Sequence, residues 1–419
     1  MSNYKTSIWI YPWDMMDEGI EPVLNTILER GGIHGINIAM HYHSGMFLLP
    51  HNPRHKLYYP TPGVYFEPDT KRYAGQKMQP IINPLASSSF LKSLRKETKS
   101  RGMEMSAWSV CLHNSGLGAT YPENTMQTAF GDRFINQLCP ANPDVRSYVI
   151  ALIGDLLNRD FDRVLVESLE YMSLRHGYHH EVIGVPLTPY IEWLMGLCFC
   201  KHCRQGSARA GVDVDAVHSF VCDEINRFFA GELDAGREGI HWAEIKALAG
   251  GELGAFHQFR IGIVTSLFHE IYDTHASHTP TRLEACDFGP LYGLGPDGSA
   301  WESGFDLEAT APYVNGLHPC FYFTSMDKVV EKTTEYLGLL SDTARLDAVI
   351  RAIPPQVNTE SDIVTRLNAS YRGPVDEFSF YNYGFMRLTT LDWIKSALAG
   401  LGVNKARKLS KKSEALSSG

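Results

Sequence analysis

The sequence predicts a single (β/α)8 barrel, and three observations carry that reading. Eight short apolar or β-branched runs recur along the 419 residues. Segments with helical periodicity separate them, and a repeated strand–helix alternation builds a parallel sheet. The runs are continuously apolar rather than strictly alternating, as strands buried on both faces require.

The strands fall at 7–12 (β1, SIWIYP), 35–41 (β2, GINIAMH), 104–110 (β3, EMSAWSV), 163–168 (β4, RVLVES), 281–287 (β5, TRLEACD), 314–323 (β6, VNGLHPCFYF), 346–353 (β7, LDAVIRAI) and 377–383 (β8, EFSFYNY). A helix over about 21–31 stops at Gly31-Gly32. Asn142-Pro143 supplies an N-cap and a first-turn proline. The helix they open repeats apolar residues at Val145, Tyr148, Val149, Leu152, Ile153, Leu156 and Leu157, one buried stripe. Further helices follow Thr324-Ser325 and Asn358-Thr359, and a last one covers about 390–401. Only 304–313 can supply the helix after β5.

Two excursions, about 42–85 and 169–280, follow the C-terminal ends of β2 and β4, where insertions build the walls of barrel active sites. The barrel with these insertions is expected to occupy 1–403. The remainder, 404–419, is basic, Ser-rich and without an apolar face, and is expected to be disordered.

Net charge is -9 with no long basic stripe, which argues against a nucleic-acid partner and against a membrane surface. No run of about 18 apolar residues could span a bilayer. The N-terminus lacks a signal-peptide pattern, so the expected compartment is the cytoplasm. Eight cysteines then read as thiols or metal ligands rather than disulfides.

The cysteine spacing is the most specific local signal. Cys198, Cys200 and Cys203 form C-x-C-x-x-C, and Cys139 stands upstream in LCPANPDVRSY. Four thiolates suit a closed, structural tetrahedral zinc site. The alternative is four small buried residues without metal, and His202 is a further candidate ligand. No nucleotide loop and no G-x-S-x-G nucleophile motif occurs, and no organic cofactor is expected.

Carboxylates at strand ends converge on a barrel axis and are natural acid–base candidates. They are Glu167 and Glu170 after β4, Asp14 after β1 and Asp287 at the end of β5. Asp17 and Glu18 read as helix-start residues, Glu360 as a first-turn dipole residue, and Glu284 as an arginine partner inside a strand. His113 follows β3 and joins the catalytic candidates. Trp13 and Trp108 can offer flat faces to a sugar ring. His41, His43, Asn114, Arg175, His176, His179, Tyr381 and Asn382 can bond its hydroxyls.

The pair LCPANPDVRSY and CFCKHC resembles family-42 β-galactosidases over about 139–203. That resemblance implies zinc held by Cys139, Cys198, Cys200 and Cys203, with Glu167 at the position of the acid/base. It departs at β7, which ends AIPPQVN where those retaining enzymes carry a nucleophilic glutamate; no carboxylate follows until Glu360. Over about 8–386 the chain is similar to largely uncharacterised glycoside-hydrolase-like barrels through YHSGMFLLPHNPR, RHGYHHE and EFSFYNYG. It resembles family-156 exo-sialidases more loosely, with Asp14 and His113 nearest to the Asp and His of those inverting enzymes.

The expectation is therefore a glycosidase acting on a carbohydrate, with Glu167 as general acid. Two alternatives stay open: a sugar-binding barrel without catalysis, and a metal-dependent isomerase or lyase using the rim histidines. Related barrels associate, so a homo-oligomer is among the expected assemblies.

Overall fold

The computed structural model describes residues 4–174, 183–233, 241–288, 300–340, 344–371 and 375–401. Eight parallel strands close into a barrel: β1 (Lys5–Ile10), β2 (Gly35–Tyr42), β3 (Glu104–Val110), β4 (Arg163–Glu167), β5 (Arg282–Asp287), β6 (Gly316–Pro319), β7 (Arg345–Arg351) and β8 (Glu377–Tyr381). Closure comes from β1 pairing with both β8 and β2, Ser7 opposite Ser379 and Trp9 opposite Asn37. The predicted (β/α)8 fold is the observed one.

Helices start and stop where side chains satisfy free backbone groups. Asn142 accepts from the Asp144 amide at 2.9 Å and opens Pro143–Leu157. Gly32, at φ 61°, ends Ile20–Gly31. Thr359 and Asp362 form a capping box at the start of Glu360–Ser370. β6 is shorter than expected, because Pro319 brings no N–H to the ladder and only Cys320 bridges on to Val349. Asp17 and Glu18 do not open a helix. They end Pro12–Glu18, whose first turn holds Asp14 instead. After β5, Leu307–Thr310 is the short helix expected within 304–313.

The barrel interior changes character along its axis. At the N-terminal ends of the strands it is polar. Arg163 Nη1 donates to Glu284 (3.1 Å), Asp347 (3.2 Å) and Glu377 (2.8 Å), Nη2 to Glu377 (2.6 Å) and Asn37 (3.1 Å), and Nε to Ser106 (2.6 Å). His318 Nε2 lies 2.7 Å from Glu284 and 3.1 Å from Asp347. Glu284, His318 and Asp347 could hold a cation by donor type, but the Arg163 guanidinium already lies against the same carboxylate oxygens. Glu284 is thus the arginine partner its place in the strand predicted.

Two apolar cores follow. The larger fills the space between barrel and helices. The smaller lies in the insertion after β4 and is built by Ile191, Leu194, Val217, Val221, Leu253 and Phe256, with Trp242 and Trp301 against it. Among the described residues no helix is long and apolar enough to cross a membrane.

Candidate active site and cysteine cluster

Alternation along β4 turns Arg163, Leu165 and Glu167 to the same face, so the strand that begins in the polar layer ends in a carboxylate at the opposite mouth. Trp108 of β3 donates its indole N–H to Glu167 at 2.6 Å. Glu167 is 7% exposed. Burial pushes its pKa up to about 8, the Trp108 bond pulls against that, and the Glu170 charge adds to it. The group is therefore protonated at neutral pH.

The next residue, Ser168, has φ 57°, uncommon for a non-glycine residue, and its buried hydroxyl has no hydrogen-bond partner among the described residues. Backbone bonds from Cys111 to Glu167 O (2.8 Å) and from Leu112 to Ser168 O (2.9 Å) hold the chain in this shape. Strain of this kind is retained where the surroundings over-determine it, most often at functional sites.

Glu170 and Asp287 complete a row of acids. Burial raises Glu170 to about 8; its own backbone N–H opposes this and the Asp287 charge reinforces it. Asp287, at the end of β5, accepts the hydroxyl of Tyr336 from the helix Met326–Leu339. The Tyr42 and Tyr381 hydroxyls lie within electrostatic reach of Glu167. Tyr11 meets Tyr42 at 2.9 Å and Tyr381 at 3.2 Å. Burial raises Tyr381 to about 12, the Tyr11 bond lowers it, and the Glu167 charge raises it. Cys286 and Cys320 border the same carboxylates and are held as thiols by burial. β7 ends in half-buried Arg351, whose charge reaches Tyr381.

Of the residues singled out from sequence, Glu167, Glu170, Asp287, Trp108 and Tyr381 come together here. Others are engaged in packing. Asp14 is fully buried and accepts the Tyr11 backbone N–H at 3.1 Å as the helix cap. Burial raises it to about 8 and the Tyr11 bond opposes that. A Cβ at Gly384 would fall 2.6 Å from its carboxylate, so the loop after β8 seals it. Trp13 spends its faces on Tyr11 (4.2 Å between centroids) and Phe47 (5.8 Å).

Asn114 caps Ser115–Thr120 and donates to His41 Nε2 at 3.0 Å. Burial lowers His41 to about 4, leaving a neutral imidazole inside the protein. His43 and His113 stack at 3.9 Å. Asn382 is buried and accepts from the Gly384 amide at 3.0 Å. Arg175, His176 and His179 lie outside the described residues, as does the tail. Sequence reading missed Tyr11, Tyr42, Cys286, Cys320 and Arg351. The inward parity of each strand, counted toward its C-terminal end, points to Tyr11, Cys286, Cys320 and Arg351, whereas Tyr42 is out of phase because the β2 register shifts between Ala39 and His41.

Beside this mouth, Cys139 follows a hairpin of Thr125–Gln127 with Arg133–Leu138, a feature not anticipated from the sequence. Cys198 precedes, and Cys200 and Cys203 begin, the helix Lys201–Arg209. Cys139 Sγ lies 3.5 Å from Cys203, 3.8 Å from Cys198 and 3.5 Å from Cys200. All four are buried and none is in a disulfide. Sulfurs about 2.3 Å from a tetrahedral ion stand about 3.8 Å apart, so the cluster has the spacing and donor set to bind a metal ion.

No protein-family model matches the chain, and no curated protein matches it. Solved structures resemble it in fold. An α-L-fucosidase from Paenibacillus thiaminolyticus aligns with TM-score 0.54 and 11% identity over 96% of this chain and 50% of its own. A β-galactosidase from Marinomonas ef1 aligns with TM-score 0.55 and 10% identity over 96% and 60%. The β-amylase catalytic domain of Paenibacillus polymyxa aligns with TM-score 0.53 and 11% identity over 93% and 94%. The chain thus spans about half of the fucosidase and nearly all of the amylase domain. These neighbours are glycoside hydrolases, and identities this low establish a shared barrel.

Proposed function

We propose that the protein hydrolyses a glycosidic bond, with Glu167 as the general acid. The observation that carries the reading is a buried glutamate at the end of β4, positioned by the Trp108 indole and held protonated at neutral pH. Its proton passes to the glycosidic oxygen as the bond to the anomeric carbon breaks. Asp287 takes the proton of the attacking water, and Glu170 sets the charge between the two acids. Asp14 we assign to the helix cap, because its carboxylate accepts the Tyr11 backbone N–H and lies against Gly384 of the loop after β8.

Hydrolysis of a panel of aryl glycosides by wild type and Glu167→Gln tests this. General acid catalysis contributes roughly 10²–10⁴-fold, so the variant should lose about that much on poor leaving groups while keeping its fold. Near-wild-type turnover would remove Glu167 from the mechanism.

The absence of a carboxylate at the end of β7 favours a second reading, a barrel that binds sugar without cleaving it. In that case saccharides bind and no phenol is released from any aryl glycoside.

We further assign zinc to the four cysteines, on the chemistry of the donor set. Bound there, the ion would cross-link the hairpin before Pro143–Leu157 to the insertion after β4.

A further inference from the structure

We propose that Arg260 and Tyr171 form the outer shell of the cysteine metal centre, Arg260 balancing its charge and Tyr171 tying it to the segment that carries Glu170. This rests on the reading of the cluster as a metal site.

Arg260, in the helix Glu252–Thr274, is 2% exposed. Among the described residues no carboxylate pairs with it. Its Nη1 donates to His257 Nδ1 at 2.9 Å, and Nε has no hydrogen-bond partner among the described residues. His257 Nε2 lies 2.7 Å from the Trp301 carbonyl and must donate to it. The imidazole that accepts from Arg260 is therefore neutral and supplies no counter-charge. The guanidinium lies 4.4 Å over the Tyr171 ring. A buried, unpaired cation costs several kcal/mol, so an anion must face it.

Cys203, Cys198 and Cys139 are the anionic candidates within its reach, because burial keeps the Tyr171 hydroxyl protonated. Four neutral thiols offer no charge. Four thiolates around a divalent cation carry a net charge of about -2, and one buried guanidinium offsets half of it.

Tyr171 provides the mechanical link. Its hydroxyl is 3.4 Å from Cys203 Sγ, where a thiolate would accept its proton in a hydrogen bond. Its backbone N–H donates to Ser303 O at 3.0 Å. Gly304, at φ 82°, lets the 303–304 segment pass; a Cβ there would come within 3.4 Å of the Arg260 carbonyl and 3.5 Å of the Tyr171 ring. Tyr171 directly follows Glu170, so whatever fixes the phenol also fixes the acid beside Glu167.

The test uses cobalt(II) as the probe. Wild type stripped of metal should take up about one cobalt per chain and show a thiolate-to-metal absorption band. Outer-shell loss typically weakens metal affinity 10–100-fold, so Arg260→Met should release cobalt to a chelator faster by about that factor, with Arg260→Lys between the two. Tyr171→Phe, a milder change if the methionine variant does not fold, should move the band to lower energy and quicken release several-fold. Stripping should also speed amide exchange over residues 167–172.

Cobalt uptake with unchanged band and release in folded Tyr171→Phe and Arg260 variants overturns the outer shell but not the centre. Uptake without any change in exchange at 167–172 overturns the link to Glu170. Failure of wild type to bind cobalt overturns the centre and this proposal together.

Discussion

Glu167 sits where two demands meet. The barrel's packing buries it, and Trp108 gives its carboxyl one hydrogen bond. Burial wins, and the pKa rises to about 8 from 4.5. The sign of the resulting pH effect follows from linkage. Between these values the folded state binds more protons than the unfolded chain, so this group lowers stability as pH rises through that window. Glu170 behaves alike. Glu167→Gln should therefore stabilise the protein relative to wild type at pH 8.5, by on the order of 2–4 kcal/mol, and change little at pH 4. Urea unfolding at the two pH values reads the difference directly. A gap independent of pH would show that burial does not displace this carboxyl.

The sequence places Glu167 at the end of a barrel strand, an explicit signal, and the structure has it there. It offers Asp14 as a rim acid for the same reason, and the structure buries that side chain at the start of a helix. Pro12 at the first helical position is the one local sign that the chain turns into a helix there, which converts Asp14, the fourth residue after Ile10, from a rim group into part of a buried cap region.

Among elements, the strands divide the work by end. The N-terminal ends hold Arg163 with Glu284, Asp347 and Glu377, fully enclosed. Conservatively packed apolar replacements of whole buried ion clusters are often tolerated, whereas removing one partner leaves a bare charge and costs about 3–5 kcal/mol. Arg163→Met should show that loss in chemical denaturation, and the simultaneous change of its acidic partners to neutral isosteres should recover part of it. No loss in the single variant would mean that the cluster is not ionised as drawn.

The strands were legible from their apolar runs, and Glu284 was legible as an arginine partner. The identity of that arginine was not, because a contact between β4 and β5, β7 and β8 across the barrel depends on closure and register. The Thr125–Gln127 and Arg133–Leu138 hairpin was missed for a similar reason: both arms are short and sit between stronger helical signals.

At the scale of the whole molecule, the insertion after β4 has its own small apolar core and meets the barrel at the cysteine cluster. Cysteine spacing made three of the four clustered cysteines readable within six residues, while Cys139 needed the hairpin to bring it 59 positions back to Cys198. If zinc is bound there, elemental analysis of protein purified without chelator should find about one zinc per chain. Stripping it should lower the melting temperature and expose four titratable thiols. Equal stability with and without metal would contradict a structural role. The barrel's eight strands carry enough local information to be read from sequence. The mouth is harder, because Arg351, Tyr11, Tyr42, Cys286 and Cys320 become neighbours through the shear of the closed sheet.

Whether Glu167 protonates a leaving glycosidic oxygen is read from the leaving-group dependence of turnover. Wild type and Glu167→Gln are compared on aryl glycosides whose phenols span a wide range of acidity, once the panel has identified a sugar that is cleaved. With Glu167 as the acid, the variant loses about 10²–10⁴-fold on poorly acidic phenols and far less on strongly acidic ones, which need no proton to depart. An equal loss across the series, or no loss at all, would contradict it.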